Sequence, residues 1–543
     1  MSTLDWIGKK AVLSHHHQVP FRLLKDVPDL ACGEPGDGNL IVQGDNLVAL
    51  KALLPYYAGQ VKCIYIDPPY NTGNEGWVYN DNVNSPIIRA WLDETLKGNA
   101  VGKEGEDLSR HDKWLCMIYP RLALLRQFLR DNGAIFISLD DNEIGPLRLI
   151  MDEVFGARNF ATTFIWEKRT TRENRRVFSF SHDYVLCYAK SLEAFEKVRG
   201  TLPLTDEVKG RYSNPDNDPR GDWQSISLNA QAGHGTPEQF YTLVTPGGRK
   251  LDPPPGRCWA VTERRLKELI TDNRVWFGKS GNNAPRLKKF LSETMKGLTP
   301  HTLWRADEVG TTDSATKALM DIFGGDARFD SPKPVELVER ILYIATQPGD
   351  LVLDSFAGSG TTGHAVLKLN QTVPDKEPRR FILVEMEPKI AREVTAERVR
   401  RVAEGYKNAK GEKAEGLSGG FRYCELGEPL FDEEGKIRET VSFADLARHV
   451  YFTETGEPLP RERVARSPFI GACRGVSIYL LFNGVLGDKR ANGGNVLTNE
   501  VLRALPPHDG PKVIYGEGCR LGSSRLKREG IVFKQMPYEI KVS

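Results

Sequence analysis

Cys63-Ile64-Tyr65-Ile66-Asp67-Pro68-Pro69-Tyr70 is an apolar run that stops at an acid, two prolines and an aromatic ring. Its apolar part, Val61 to Ile66, is short and β-branched, so it reads as a parallel strand covered on both faces, although periodicity alone leaves a buried helix open. The prolines end it. They fix φ, remove two amide donors and bias Asp67 towards extended backbone, which leaves carbonyls free to accept hydrogen bonds just past the strand tip. Tyr70 adds a flat stacking face. A carboxylate, a free carbonyl and an aromatic plane suit an exocyclic amine on a planar ring, which is how a flipped nucleobase is held. Taken alone, the string is equally well an ordinary Asp-Pro turn.

A second string gives it a partner. Leu351-Val352-Leu353-Asp354-Ser355-Phe356-Ala357-Gly358-Ser359-Gly360-Thr361-Thr362-Gly363 is another apolar strand, followed at once by a glycine-rich turn and a helix-like run. Glycines there let backbone approach a ligand closely. The next strand, Phe381 to Val384, ends in Glu385, where doubly wound nucleoside-binding folds place an acid against ribose hydroxyls. Gly278-Lys279-Ser280 is not a phosphate loop, because Asn273 stands where its first glycine belongs.

With Asp67 to Tyr70 ahead of Asp354 to Gly360, the chain resembles the amino-methylating DNA methyltransferases that use S-adenosylmethionine. Gly44-Asp45-Asn46-Leu47 and Phe329-Asp330-Ser331-Pro332-Lys333-Pro334 resemble the family's cofactor-side segments. Four further strings are most similar to the modification subunits of Type III restriction systems. They are Tyr65 to Gly73, His111-Asp112-Lys113-Trp114, Ile135 to Glu143, and Asn214-Pro215-Asp216-Asn217-Asp218-Pro219-Arg220-Gly221. The resemblance implies an α/β fold: a doubly wound, mostly parallel Rossmann-like sheet, an inserted target-recognition region and a small C-terminal α/β domain. It implies catalysis by Asp67, Pro68, Pro69 and Tyr70. It places S-adenosyl-L-methionine at Asp45, Lys333, Pro334, Asp354, Phe356, Gly358, Gly360, Thr361, Thr362 and Glu385. The implied reaction is methylation of the N6 amine of a flipped adenine. Cytosine N4, or a recognition subunit with little activity of its own, stays open. Double-stranded DNA, a second copy of the chain and a helicase-nuclease restriction subunit are the implied partners.

The chemistry is coherent with that resemblance. In an open α/β sheet, ligands sit beyond the carboxyl ends of strands where strand order reverses, so Asp67 and Gly358 are expected to face one crevice. There Asp67 and the Pro68 carbonyl would restrain the amine, and fixing the in-line approach is the main catalytic contribution. Methylation of a cytosine carbon needs a thiolate, usually in a Pro-Cys pair, and none of the eight cysteines follows a proline. The cysteines form no C-x-x-C pair, so neither zinc nor a disulfide framework is indicated, and His15, His16 and His17 read as a packing or surface run. No metal is expected. A competing nuclease reading, from Pro374-Asp375 with Glu387-Pro388-Lys389, is weak because Glu385 already accounts for that region.

The 543 residues suggest about three domains. The chain shows no apolar run of membrane-spanning length and no signal-peptide pattern at its start, so a cytoplasmic protein is expected. A net charge of +2 is low for a DNA binder, so the footprint must come from local segregation of charge. Lys168, Arg169, Arg172, Arg175 and Arg176 lie between two strand-like runs, and Asn217 and Arg220 lie in the later polar string; these are the expected DNA contacts. A solvated charged face is the simpler account of any single arginine. The expected segments are a leader at 1–38, a catalytic half at 39–190 with a lid-like insertion at 71–110, target recognition at 191–328, a cofactor half at 329–405, and a C-terminal domain at 412–543 for subunit or DNA contacts.

Overall fold

The computed structural model describes residues 4–33, 38–72, 103–173, 177–294, 297–459, 467–484, 488–490 and 492–536, with backbone alone for 103–109 and 294. Residues 73–102 of the expected lid at 71–110 lie outside the described residues, as do Arg175 and Arg176, while 103–110 are already helical.

Ten strands make one sheet. In chain order they are β1 (Arg22–Asp26), β2 (Leu40–Gln43), β3 (Val61–Ile66), β4 (Leu129–Leu139), β5 (Phe160–Glu167), β6 (His182–Ala189), β7 (Leu303–Trp304), β8 (Leu351–Asp354), β9 (Arg380–Glu385) and β10 (Arg422–Pro429). Their spatial order is β1-β10-β2-β9-β8-β3-β4-β6-β5-β7. From β10 to β4 every neighbour is parallel. β1 and β6 pair antiparallel with theirs, and β7 is parallel to β5. All six residues of β3 are buried, as a strand covered on both faces requires.

Helices cover the sheet where the sequence changes period. The Asp45 carboxylate caps α1 (Asn46–Tyr57) by accepting from the Val48 amide at 3.0 Å. α2 (Lys103–Phe128) leads into β4. Pro334 caps α3 (Val335–Ala345), which buries Val335, Leu337, Val338, Ile341, Leu342, Ile344 and Ala345 before β8. α4 (Thr361–Gln371) joins β8 to β9. The connection from β3 moves towards β4 while that from β8 moves the other way to β9. The adjacent tips of β3 and β8 thus flank the point where strand order reverses.

Three expected boundaries shift. The chain divides into a unit of residues 1–200 with 301–543 and a second unit of residues 201–300. The second unit is narrower than the 191–328 span read from sequence, because Leu303–Trp304 returns to the first unit's sheet as β7, where the buried Trp304 stacks on Phe164 at 4.2 Å between centroids. The tail is not a separate body. β10 is an interior strand between β1 and β2, and Ile470, Ile478, Leu480, Tyr515 and Met536 share one core with Leu50, Leu53 and Ile64. The leader supplies β1, and its buried His16 accepts the Lys51 ammonium on its backbone carbonyl at 3.1 Å.

The second unit has its own core of Leu228, Leu243, Trp259, Leu266, Leu269, Val275 and Phe277. Trp223–Ser227, Arg286–Phe290 and Val275–Trp276 form an antiparallel sheet in it. The fully buried Lys288 is neutralised by Asp216 and Asp218, as a buried cation must be.

Candidate active site

The Asp67 loop leaves the tip of β3 and the glycine loop leaves the tip of β8, whose Leu353 lies in register with Ile64. One cavity of about 660 Å³ is lined by both, including Asp67, Pro68, Pro69 and Tyr70 from the first and Asp354, Phe356, Gly358, Thr361 and Thr362 from the second. Glu385, at the tip of β9, and Lys333 complete the wall. Residues separated by nearly the whole sheet in sequence are therefore neighbours, as the strand order dictates.

The Asp67 carboxylate is divided between two tasks. Lys333 Nζ pairs with Oδ2 at 2.5 Å and lies 5.0 Å from the centroid of the Tyr70 ring. Oδ1 is buried without a well-aligned hydrogen-bond partner. The Tyr70 hydroxyl is buried as well, and desolvation first, with the Asp67 charge second, holds its pKa well above the ordinary phenol value. Tyr70 therefore stays neutral and presents its ring. Asp67, with one oxygen held by Lys333, lines the cavity.

The glycine loop is held by its own acids. Asp354 accepts from the Phe356 amide at 3.0 Å and from the Thr362 hydroxyl at 2.5 Å. Glu385 accepts from the Gly358 amide at 2.8 Å and from the Glu387 amide at 3.0 Å. Burial pushes both carboxyls up to about 7. Gly358 has φ +48°, and a Cβ there would meet Phe329 Cζ at 3.1 Å, so glycine is needed for both backbone and space. The Thr361 hydroxyl donates to the Lys333 carbonyl at 3.2 Å and so ties the Ser331-Pro332-Lys333 segment to the start of α4.

Several expected residues lie elsewhere. Asp45 does not line the cavity; it caps α1 and pairs with Arg121 Nη2 at 3.3 Å, while its neighbour Asn46 donates to the Ser355 carbonyl at 3.2 Å. Pro334 and Gly360 are also outside the lining, the first as the cap of α3 and the second as the left-handed residue that starts α4. Lys168 and Arg169 line the cavity, and Lys168 is committed to the buried Asp183 at 2.6 Å. Arg172 is exposed. In the second unit, Asn217 makes a turn at φ +54°, and Arg220 grips Asp218 through Nε and Nη2, both at 2.9 Å. Asp375 precedes the six-residue β9 and Glu387 follows it, roughly 20 Å apart by strand rise, so they form no joint centre.

A supporting cluster was visible in the sequence as strings without a role. Trp114 on α2 donates Nε1 to the Pro69 carbonyl at 2.7 Å. Asn71, buried with φ +60°, donates to Glu143, and His111 Nδ1 shares the same oxygen. Desolvation raises the pKa of Glu143. Phe329 and Asp140, from two of the quoted strings, also line the cavity, as does Asp183, which no quoted string contained. Their signal is three-dimensional, since each acts across strands or helices distant in sequence.

A family model described as DNA methylase matches residues 61–397. This chain belongs to the DNA methylase family. Within it, the chain is 34% identical over 429 residues to the Mod subunit of the Type III restriction-modification enzyme StyLTI from Salmonella typhimurium, covering 74% of this chain and 62% of that protein. It is 29% identical over 427 residues to the EcoP15I Mod subunit from Escherichia coli, covering 71% and 64%. It is also 29% identical over 364 residues to the Type II methyltransferase M.KpnI from Klebsiella pneumoniae, covering 63% and 79%. The chain thus spans a little under two thirds of the length of the Type III relatives. The methylase family match takes in both cavity loops and the second unit between them.

Proposed function

We propose that this chain transfers a methyl group from S-adenosyl-L-methionine to the N6 amine of an adenine flipped out of double-stranded DNA, as the modification subunit of a restriction-modification system. The observation that carries this is the single cavity shared by the Asp67 loop and the glycine loop. Its volume suits a nucleoside-sized ligand together with a base edge. The residues fit the cofactor: Glu385 offers carboxylate oxygens to ribose hydroxyls, and Gly358, Phe356 and Thr361 supply the close backbone and walls. When bound, the cofactor supplies an electrophilic methyl on a sulfonium.

The protein's contribution is geometric. Lys333 fixes Oδ2 of Asp67, so Oδ1 is left to accept one amine proton, and the neighbouring Pro68 carbonyl accepts the other. This aims the nitrogen lone pair along the line of transfer. The neutral Tyr70 stacks on the base. Once methylated the nitrogen is strongly acidic, and its extra proton passes to the Asp67 carboxylate or to bulk water, so no strong base is required. Residues 201–300 are the proposed target-recognition unit. A second copy of the chain and a helicase-nuclease subunit are the proposed protein partners, in keeping with the Type III relatives.

The test is to incubate the full chain with unmethylated DNA and the cofactor, digest to nucleosides and analyse the bases by mass spectrometry. N6-methyladenine is expected, and Asp67→Ala should lose at least about a hundredfold in rate while binding the cofactor within a few-fold of the parent. N4-methylcytosine would keep the mechanism and change the base. Cofactor binding with no methylated base would overturn the proposal.

A further inference from the structure

We propose that residues 177–181, the described arm that leads into β6, are a wedge that enters duplex DNA beside the flipped base, with Phe178 and Phe180 as the inserted rings. The inference rests on the cavity being a flipped-base site and adds the element that makes room in the duplex. Val177 and Phe178 are 91% and 76% exposed, the two most exposed large apolar side chains among the described residues, and Phe180 is 50% exposed. Leaving such side chains in water is unfavourable, and a patch of this kind marks an interaction surface.

Their position names the partner. The connection between β5 and β6 is closed at its base by the Arg169 amide on the Ser181 carbonyl at 3.2 Å, and its described arms are joined by the Glu173 amide on the Ser179 hydroxyl at 3.0 Å. Directly below, Lys168 pairs with Asp183 in the cavity wall, and Arg169 lines the same cavity. Phe178 is three residues from Ser181, so its backbone lies within about 10 Å of a residue that is hydrogen-bonded to Arg169 on the cavity wall. The Arg169 side chain is 43% exposed and pairs with Glu173 at 3.6 Å, and Arg172 is exposed, so the connection that carries the rings also carries cations. Aromatic rings flanked by arginines at the mouth of a base-sized cavity match a stacked, anionic duplex. Flipping a base costs a few kcal/mol of lost stacking, and an apolar wedge that fills the gap offsets part of it.

The two rings are exposed, so their truncation should leave the fold intact, and cofactor binding by the variant checks this. The probe is a short duplex built on the sequence in which methylated bases are found after treatment of plasmid DNA, prepared fully paired and with the target base mispaired. A mispaired base costs less to flip. The double variant Phe178→Ala/Phe180→Ala should lose about tenfold or more in kcat/KM on the paired duplex and less than about threefold on the mispaired one. Phe178→Leu/Phe180→Leu should recover most of the loss. An equal loss on both duplexes, or no loss on either, overturns the wedge. So does an equal loss accompanied by a change from dimer to monomer, which would make the rings a contact between copies. If the parent chain methylates no DNA, the proposed function itself fails, and the wedge falls with it.

Discussion

Asp354 and Glu385 are two acids that the fold buries at neighbouring strand tips, where burial outweighs the backbone hydrogen bonds they accept and raises both to about 7. An acid with a raised folded pKa binds its proton more tightly folded than unfolded. Its stabilising contribution is complete below the unfolded value near 4 and is lost as pH rises through 7. The free protein should therefore melt roughly 2–5 °C lower at pH 8 than at pH 6. Asp354→Asn with Glu385→Gln should flatten that difference. A melting temperature that rises across this range, or an unchanged slope in the double variant, would contradict the assignment. The same two residues show what a sequence reveals at this scale. Glu385 was legible because it ends an apolar strand one helix after the glycines. Lys333 was legible only as part of a string, since nothing in its neighbours says that its ammonium reaches Asp67, 266 residues earlier.

The Asp67 loop is an element whose prolines leave it few backbone hydrogen bonds of its own, so its shape must be imposed from outside. α2 imposes it through Trp114 on the Pro69 carbonyl, and the tip of β4 through Glu143 on Asn71. The strands were legible because buried parallel strands are continuous apolar runs. These braces were not, because each is a single hydrogen bond between segments 45 and 72 residues apart. Glu143→Gln keeps the volume but cannot accept from Asn71 and His111 through one oxygen with the same charge. One charge-assisted hydrogen bond weakened by about 1–3 kcal/mol should lower kcat roughly tenfold or more, while KM for the cofactor changes less than about twofold. Steady-state kinetics with both substrates varied would show this. A loss carried by cofactor KM instead would mean that Glu143 supports the glycine loop and not the Asp67 loop.

At the scale of the whole molecule, the two units predict opposite outcomes for two deletions of similar length. Residues 201–300 have their own core, and Leu202 and Leu298 form an antiparallel bridge, so the chain enters and leaves the second unit at adjacent points. Bridged residues are about 5 Å apart, a gap that a few glycines and serines span. Replacing 201–300 by such a linker should leave a first unit that unfolds cooperatively and binds the cofactor within about threefold of the parent, yet methylates no DNA. Ending the chain at residue 411 should do the reverse. It removes β10 from between β1 and β2, leaving β1 without the partner it pairs with, and it strips Ile470, Ile478, Leu480 and Tyr515 from a core they share with Leu50 and Ile64. Unpaired interior strand edges and lost core side chains cost several kcal/mol each, more than a marginal stability of about 5–15 kcal/mol tolerates. The sequence placed a separable tail here because its strands and turns change character after the cofactor half; what it does not display is that β10 inserts between two strands from the first fifty residues. Calorimetry and cofactor titration on both deletions decide the matter: a truncated chain that folds and binds, beside a linker variant that does not, would mean that the tail and not residues 201–300 is the independent unit.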